Sequence, residues 1–225
     1  MPALTFQRPG GAPVTAAFDT LIVAGWTGRD TKALEHHVEE LAALGVPRPS
    51  SMPMFYRTSV NGLTQTKRLE VLGNDTSGEV EPVVLAFDGA MWLGVGSDHT
   101  DRKLETLGIA LSKQICGKVI GEDVWPLAEV MPHWDKLIIR AHAAIGSEPV
   151  LYQEGSLANM RTPVDLLSRY DASAALKNGA VMFCGTVGAI GGIRPAARFE
   201  MEIEDPVLGR RIGHAYDIVA LPVVS

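Results

Sequence analysis

Two glutamates that are two residues apart form the most chemically suggestive pattern of this sequence. Glu79 and Glu81 lie in the run 78–87, whose valine and leucine content predicts a β-strand. Residues two apart on a strand point to the same face, so both carboxylates would project together. A divalent cation relieves the repulsion between them, and oxygen ligands suit a hard ion such as Mg²⁺, Mn²⁺ or Ca²⁺. Alternating glutamates are also common on the solvated face of a strand, so the pair alone leaves both interpretations open.

A third carboxylate, Asp98, strengthens the metal interpretation. The pair Asp88-Gly89 stands between two apolar runs, which is a strong signal for a β-hairpin. The returning strand ends near Asp98, which could therefore meet the two glutamates. Mg²⁺ commonly keeps open positions for water and substrate beside such ligands. Asp98 or Thr100 could also cap a following helix, and the two roles are compatible.

The rest of the pattern predicts many strands and few helices. Asp30 or Thr31 could cap a helix over about 32–44, which Gly45 would stop before a Pro/Ser linker at 47–53. Helices are also predicted over about 100–114 and, from Thr162-Pro163 as cap and first turn, to about 169. Strands are predicted at 15–25, 69–72, 78–87, 90–95, 137–141, 150–152, 181–183, 198–203 and 217–221.

This order of elements predicts an α+β fold that is mainly β. We expect a curved or barrel-like mixed β core with a few peripheral helices. A small N-terminal strand/helix segment, 1–53, would precede the main core, 54–225.

Composition excludes several classes of function. The formal net charge of −6 argues against a nucleic-acid partner, which would require a basic face. The chain has no apolar run near the roughly 20 residues of a membrane helix, and its N-terminus lacks the pattern of a signal peptide. The two cysteines are too few for a disulfide framework, which suits a reducing compartment. We therefore expect a soluble, cytoplasmic protein.

Several segments together resemble the fumarylacetoacetate hydrolase (FAH) superfamily. Glu79-Val80-Glu81 and the segment Gly96-Ser97-Asp98-His99-Thr100-Asp101-Arg102 match its metal-binding strands. Gly117-Lys118 to Leu127, Gln153-Glu154-Gly155-Ser156 and Gly185-Thr186 follow in the family's order. The segment from Gly28-Arg29 to Leu41 is similar to its entry helix. The resemblance spans about residues 25 to 215.

The resemblance implies a metal-dependent enzyme. It implies that Glu79, Glu81 and Asp98 bind Mg²⁺, with Mn²⁺ or Ca²⁺ as alternatives, and that Lys118 adds a positive charge at the substrate. Members of the family act on small 2-oxo or 1,3-diketo acids through a metal-stabilised enolate, by C–C cleavage or decarboxylation, and usually assemble as homodimers.

The remaining site residues are predicted from the same resemblance, except Arg57, which stands where the family pattern is not kept and could bind a substrate carboxylate in bidentate fashion. His37 and Glu40 lie three apart on one predicted helical face, where the acid could orient the imidazole to activate water. His36 with Glu39 has the same spacing, so the choice of histidine stays open. The substrate would also meet three residues on other segments: Arg57, Gln153 and Thr186.

Departures from the family pattern leave the substrate open. The interval between Glu81 and Asp98 is shorter than usual, and Lys103 follows Arg102 where an aspartate is common. A 2-oxo-3-deoxy sugar-acid dehydratase on the same scaffold is the alternative enzyme. A non-catalytic protein that binds metal and oxo acid is the alternative of another class.

Overall fold

The computed structural model describes residues 1–43, 48–146 and 148–224, and of residues 33, 37, 40, 41 and 43 it describes the backbone alone. The predicted helix end at 44–45 and the start of the linker at 47 lie outside the described residues. Strands predominate among the described elements, as predicted. They are β1 Ala3–Phe6, β2 Val14–Ala17, β3 Thr20–Gly25, β4 Met54–Thr58, β5 Leu63–Thr64, β6 Arg68–Leu72, β7 Thr76–Ser77, β8 Val80–Phe87, β9 Ala90–Asp98, β10 Thr100–Asp101, β11 Lys118–Ile120, β12 Trp125–Pro126, β13 Ile138–Ile145, β14 Glu148–Ser156, β15 Ala180–Phe183, β16 Arg198–Asp205 and β17 Arg210–Leu221.

Within the described ranges, five α-helices accompany these strands. They are α1 Thr31–Ala43, α2 Arg102–Glu105, α3 Ile109–Ile115, α4 Leu127–Val130 and α5 Pro163–Tyr170. The single helix predicted over 100–114 is wrong, because α2 and α3 are separate. Asp101 caps α2 by accepting a hydrogen bond from the Leu104 N–H, so neither Asp98 nor Thr100 is the cap. Extended backbone at Gly108 then separates the two helices.

Two sheets form the body of the molecule. The larger, mixed sheet has the order β4-β3-β15-β8-β9-β11-β5, with β12 beside β9. The smaller sheet has the order β14-β13-β16-β17-β6. The predicted α+β fold, with a curled β core and peripheral helices, is confirmed.

The hairpin β8–β9 lies at the centre of the large sheet. Every residue of β8 is buried, which fits an apolar strand covered on both faces. Asp88 and Gly89 both have positive φ, as the tight turn of a twisted hairpin requires. The register places Glu81 opposite Gly96, so the end of β9 lies beside the start of β8.

One hydrophobic cluster joins the two sheets. It includes Val84 and Leu93 from the large sheet and Ile139, Met201 and Ile203 from the small one. The outward face of the small sheet carries charged pairs instead, among them Arg140 with Glu202. This division follows the alternation of buried and exposed positions along β13 and β16.

Candidate active site

Three carboxylates converge where β8 begins and β9 ends. Glu79, Glu81 and Asp98 each offer one oxygen, and these three oxygens lie within 4.8 Å of one another. We call these three residues the carboxylate trio. The pairing of β8 with β9 positions them, and the Asp98 N–H donates to the Glu79 carbonyl over 2.9 Å. Asp98 and Glu81 are buried, so their charges need partners.

A backbone amide holds Glu81 in place. The Gly185 N–H donates to Glu81 Oε2 over 2.7 Å. Gly185 has φ +97°, and a Cβ at this position would lie 1.8 Å from Thr27 Oγ1. The close approach of Gly185 to Thr27 and to the carboxylate therefore requires glycine.

Three cations surround the trio. Lys113 Nζ donates to Asp98 Oδ2 and lies 3.6 Å from Glu79 Oε2. Lys118 Nζ lies 2.9 Å from Asp98 Oδ1 and donates to the His99 carbonyl over 2.6 Å. On the outer side, Arg102 lies 3.0 Å from Glu79 Oε1 and also pairs with Glu105.

Burial and these charges shift the pKa values of Glu81 and Asp98 in opposite directions. Burial raises the pKa of Glu81 well above its usual value, and the neighbouring Asp98 raises it further. Burial also opposes ionisation of Asp98, but Lys113 and Lys118 outweigh it and lower the pKa of Asp98. Burial lowers the pKa of Lys113, yet Asp98, Glu79 and Glu81 reverse this and raise it. Lys113 is therefore held as an ammonium beside the trio.

The donor set fits a hard divalent cation. All three ligand groups are carboxylates, which suit Mg²⁺, Mn²⁺ or Ca²⁺. Asp98 Oδ1 is buried and, within the part of the chain that the structure describes, accepts no hydrogen bond of good geometry, although Lys118 Nζ lies 2.9 Å away. Such an oxygen has capacity left for a cation.

A cavity of about 980 Å³ opens beside Glu79 and Glu81 of the trio. Glu79, Glu81 and Lys113 lie in its polar wall together with Gly185 and Thr186. Other parts of the wall are apolar and aromatic; they include Trp26, Leu34, Tyr56, Ile109 and Ile193. A small carboxylate ligand could therefore reach the trio from a largely apolar chamber.

Two predicted substrate residues, Thr186 and Gln153, connect β8 to the loop after β15. The Thr186 hydroxyl donates to the Val80 carbonyl over 2.6 Å and accepts from Gln153 Nε2 over 2.8 Å. Gln153 Oε1 accepts from the Val80 N–H over 3.0 Å. Thr186 also lines the cavity, whereas buried Gln153 stands behind it. Their roles in binding substrate stay predictions.

Arg57 and Lys118 lie outside the cavity wall. Arg57 is exposed and donates to the Tyr170 hydroxyl over 3.3 Å, while its neighbour Tyr56 faces the cavity. Lys118 is only 1% exposed and lies behind Asp98. The predicted contacts of Arg57 and Lys118 with substrate stay predictions.

The predicted dyad falls on helix α1. The backbone of His37 and Glu40 belongs to that helix, but their side chains lie outside the described residues. Leu34 of the same helix lines the cavity. The choice between His36 and His37 therefore stays a prediction.

The sequence prediction missed Lys113. A lysine four residues after Ile109 on a short helix was a weak signal, because its charge would usually face solvent. Packing of α3 against the trio turns both Ile109 and Lys113 towards the cavity.

A buried chain of hydrogen bonds supports the trio from behind. The Tyr216 hydroxyl donates to Ser97 Oγ over 2.8 Å, and the Ser97 hydroxyl also accepts from the Glu79 N–H. Tyr216 therefore accepts from Nδ1 of His99, while Nε2 faces the Thr76 hydroxyl. Burial lowers the pKa of His99 to about 3, so its ring is neutral. The chain links β17 to the start of β8.

Comparison with known proteins gives a family and a fold. A family model described as "Protein of unknown function (DUF2848)" matches residues 24–216. No curated protein matches the sequence. Among the described residues, no helix combines the length and apolar character needed to cross a membrane.

Solved structures share the fold at low sequence identity. The chain matches Cg1458 crystallised with an inhibitor at a TM-score of 0.68 and 17% identity, covering 97% of this chain and 89% of that one. It matches 2-keto-3-deoxy-D-arabinonate dehydratase, complexed with magnesium and 2,5-dioxopentanoate, at a TM-score of 0.64 and 15% identity. That match covers 91% of this chain and 74% of the dehydratase chain. It matches 4-oxalocrotonate decarboxylase from Pseudomonas putida G7, complexed with calcium and acetate, at a TM-score of 0.56 and 14% identity. That match covers 89% of this chain and 78% of the decarboxylase chain.

Proposed function

This chain belongs to the DUF2848 family, and from its site we propose that it is a divalent-metal-dependent lyase or hydrolase of small 2-oxo carboxylic acids, similar to the FAH superfamily. The observation that carries the proposal is the convergence of three carboxylate oxygens within 4.8 Å beside a cavity large enough for such a substrate. The dehydratase and decarboxylase with this fold were crystallised with magnesium and with calcium, which supports a similar ion here. We propose Mg²⁺, with Mn²⁺ or Ca²⁺ as substitutes.

Glu79, Glu81 and Asp98 would hold the ion, with Lys118 fixing Asp98 from behind. The ion would act as a Lewis acid that polarises the substrate's carbonyl. Gly185 keeps Glu81 oriented through its N–H, and Thr186 presents a hydroxyl in the cavity wall. We propose that Lys118, as predicted, and Lys113 in the cavity wall would supply positive charge where negative charge develops beside the carbonyl. Such charge would favour the transition state over the ground state.

The dyad and Arg57 complete the proposal. His37 with Glu40 on α1 would activate water in a hydrolytic reaction, with His36 as the alternative histidine. Arg57 and Gln153 are proposed to assist substrate binding. A cytoplasmic homodimer remains our expectation for the assembled protein.

Dehydration of a 2-oxo-3-deoxy sugar acid is the second candidate. It is favoured by the likeness to the dehydratase that was crystallised with 2,5-dioxopentanoate. Turnover of a diketo acid compared with a deoxy sugar acid separates the two reactions. Metal and oxo-acid binding without any turnover would instead favour the non-catalytic alternative.

The first test is calorimetric titration of Mn²⁺ into the wild type and Glu81→Gln. The substitution keeps the shape of the side chain but removes a ligand charge. We expect it to weaken binding by more than the ~10-fold that changes around metal ligands commonly cost. Oxalate, which offers a carboxylate next to a second oxygen, should tighten binding to the wild type.

Glu70→Gln is the matched control. Glu70 is exposed on β6, where it pairs only with Arg68 among the pairs described, so this variant should bind Mn²⁺ like the wild type. A wild type that binds no Mn²⁺, with or without oxalate, would refute the metal site and the enzyme proposal with it.

A further inference from the structure

Lys113 is a buried lysine that lies beside two members of the carboxylate trio. Its side chain is only 8% exposed, and its ammonium donates to Asp98 Oδ2. The same nitrogen lies 3.6 Å from Glu79 Oε2. Lys113 therefore contacts two of the three groups that would bind the metal ion.

The two buried lysines differ in what lies around them. Lys118 Nζ donates to the His99 carbonyl and lies 2.9 Å from Asp98 Oδ1, so the His99 carbonyl can keep it in place when Asp98 binds an ion. Lys113 Nζ instead uses Asp98 Oδ2 and borders the cavity. A divalent ion in contact with that oxygen and with Glu79 would meet the ammonium at short range, where Coulomb repulsion is strong.

We infer that Lys113 is a built-in competitor of the divalent ion, and that ion binding displaces its ammonium from Asp98 into the cavity. The inference rests on the proposed function, because it concerns the same metal site. The cavity is the open side of Lys113, whereas Asp98 behind it is fully buried. The displaced ammonium then faces the carboxylate of a bound substrate. Lys113 thus neutralises Asp98 when the ion is absent and pairs with the substrate when the ion is bound.

The position of α3 is consistent with such a displacement. The helix has seven residues, and its outward side chains Leu111 and Ile115 are exposed. Gly108 precedes the helix and Gly117 follows it closely. A small shift of α3 therefore disturbs few buried contacts on its outer side.

The test compares Mn²⁺ affinity of the wild type, Lys113→Met and Lys113→Arg by calorimetry on the full chain without substrate. Methionine keeps the length of the side chain and removes its charge. We expect Lys113→Met to bind Mn²⁺ at least ~10-fold more tightly, since a nearby like charge has been removed. Lys113→Arg keeps the charge, and an arginine there can bridge the carboxylates of Glu79 and Asp98. The Lys113→Arg protein should therefore bind Mn²⁺ more weakly than the Lys113→Met protein and no more tightly than the wild type.

Lys103→Met on the neighbouring helix α2 is the control. Lys103 is exposed, so this substitution removes the same charge at a position away from the trio. It should leave the affinity close to that of the wild type. Equal or weaker binding in Lys113→Met, with a wild type that does bind, would overturn the inference and leave the metal site standing. Absence of binding in both proteins would overturn the metal site itself. If Lys113→Met does not fold, tighter binding by Lys113→Arg than by the wild type is the result that overturns the inference.

Discussion

At the scale of single residues, Gly185 has an unusually restricted environment. It combines φ +97° with contact to Thr27, and its N–H serves a buried carboxylate of the trio. A side chain at this position would disturb both the backbone and Glu81. Gly188 lies in the same loop and also lines the cavity, but a Cβ there would meet nothing within 4 Å.

We predict that Gly185→Ala destabilises the protein and weakens its binding of Mn²⁺. A non-glycine residue in such a backbone conformation costs of order 1–3 kcal/mol, and the clash with Thr27 adds to it. Urea denaturation gives the free energy of unfolding, and calorimetry gives the affinity. Gly188→Ala should change both quantities little. Equal behaviour of the two variants would show that the contact of Gly185 with Glu81 is unimportant.

The convergence of the three carboxylates was predictable at this scale, and the cations that pair with them were not. The two-residue period of a strand and one turn sequence were enough to bring Glu79, Glu81 and Asp98 together. Lys113 reaches the same point from a helix, through packing that no local pattern encodes. The surroundings of Gln153 were not predictable either. They depend on how the loop after β15 folds over β8, which no local pattern encodes.

At the scale of elements, the start of helix α5 agrees with its sequence signal. Thr162 and Pro163 were predicted as cap and first turn, and the Thr162 hydroxyl accepts from the Asp165 N–H over 3.2 Å. Leu166 and Leu167 of this helix are buried in the main core. By contrast, the continuous helix predicted over 100–114 ignored the stop at Gly108 and the cap at Asp101.

Replacing the capping hydroxyl should lower stability measurably. We expect Thr162→Ala to reduce the free energy of unfolding by about 1 kcal/mol, because the Asp165 N–H loses its partner. Ser168→Ala removes a hydroxyl from the exposed middle of the same helix, where alanine is favourable. Chemical denaturation of both variants tests this, and a Ser168→Ala loss as large as that of Thr162→Ala would contradict the capping role.

At the scale of the whole molecule, one apolar cluster is shared by the two sheets. Ile203 on β16 is fully buried in it, alongside residues of β8 and β9. Sheets that bury a common core lose it together when either one opens. We therefore expect cooperative unfolding of both sheets.

Ile203→Ala tests this coupling. Truncation of a buried isoleucine should cost about 2–5 kcal/mol, and the midpoints from tryptophan fluorescence and far-UV circular dichroism should shift equally. Leu208→Ala removes an aliphatic side chain from the exposed turn of the same hairpin and should have a small effect. Separate shifts of the two signals in Ile203→Ala would mean that the sheets unfold independently.

The pairing of strands far apart in the chain was the least predictable part of the fold. The sequence predicted strands over 15–25 and 181–183 from their own apolar residues, and the structure divides the first of these into β2 and β3. The parallel pairing of β3 with β15 joins Thr20 to Ala180, and no local signal reports such a partner. The N-terminal segment 1–53 thus contributes a strand to the large sheet, and the domain boundary at 53 stays a prediction.

The place of β3 between β4 and β15 also has a consequence for synthesis on the ribosome. At about 5–20 residues per second, the ribosome needs roughly 8–30 s to travel from β3 to β15. Throughout that interval one edge of β3 has no strand to pair with, while its apolar residues from Leu21 to Ala24 have already emerged. The nascent chain therefore carries an unpaired apolar strand edge, which is prone to aggregation, until about four-fifths of the protein has been made.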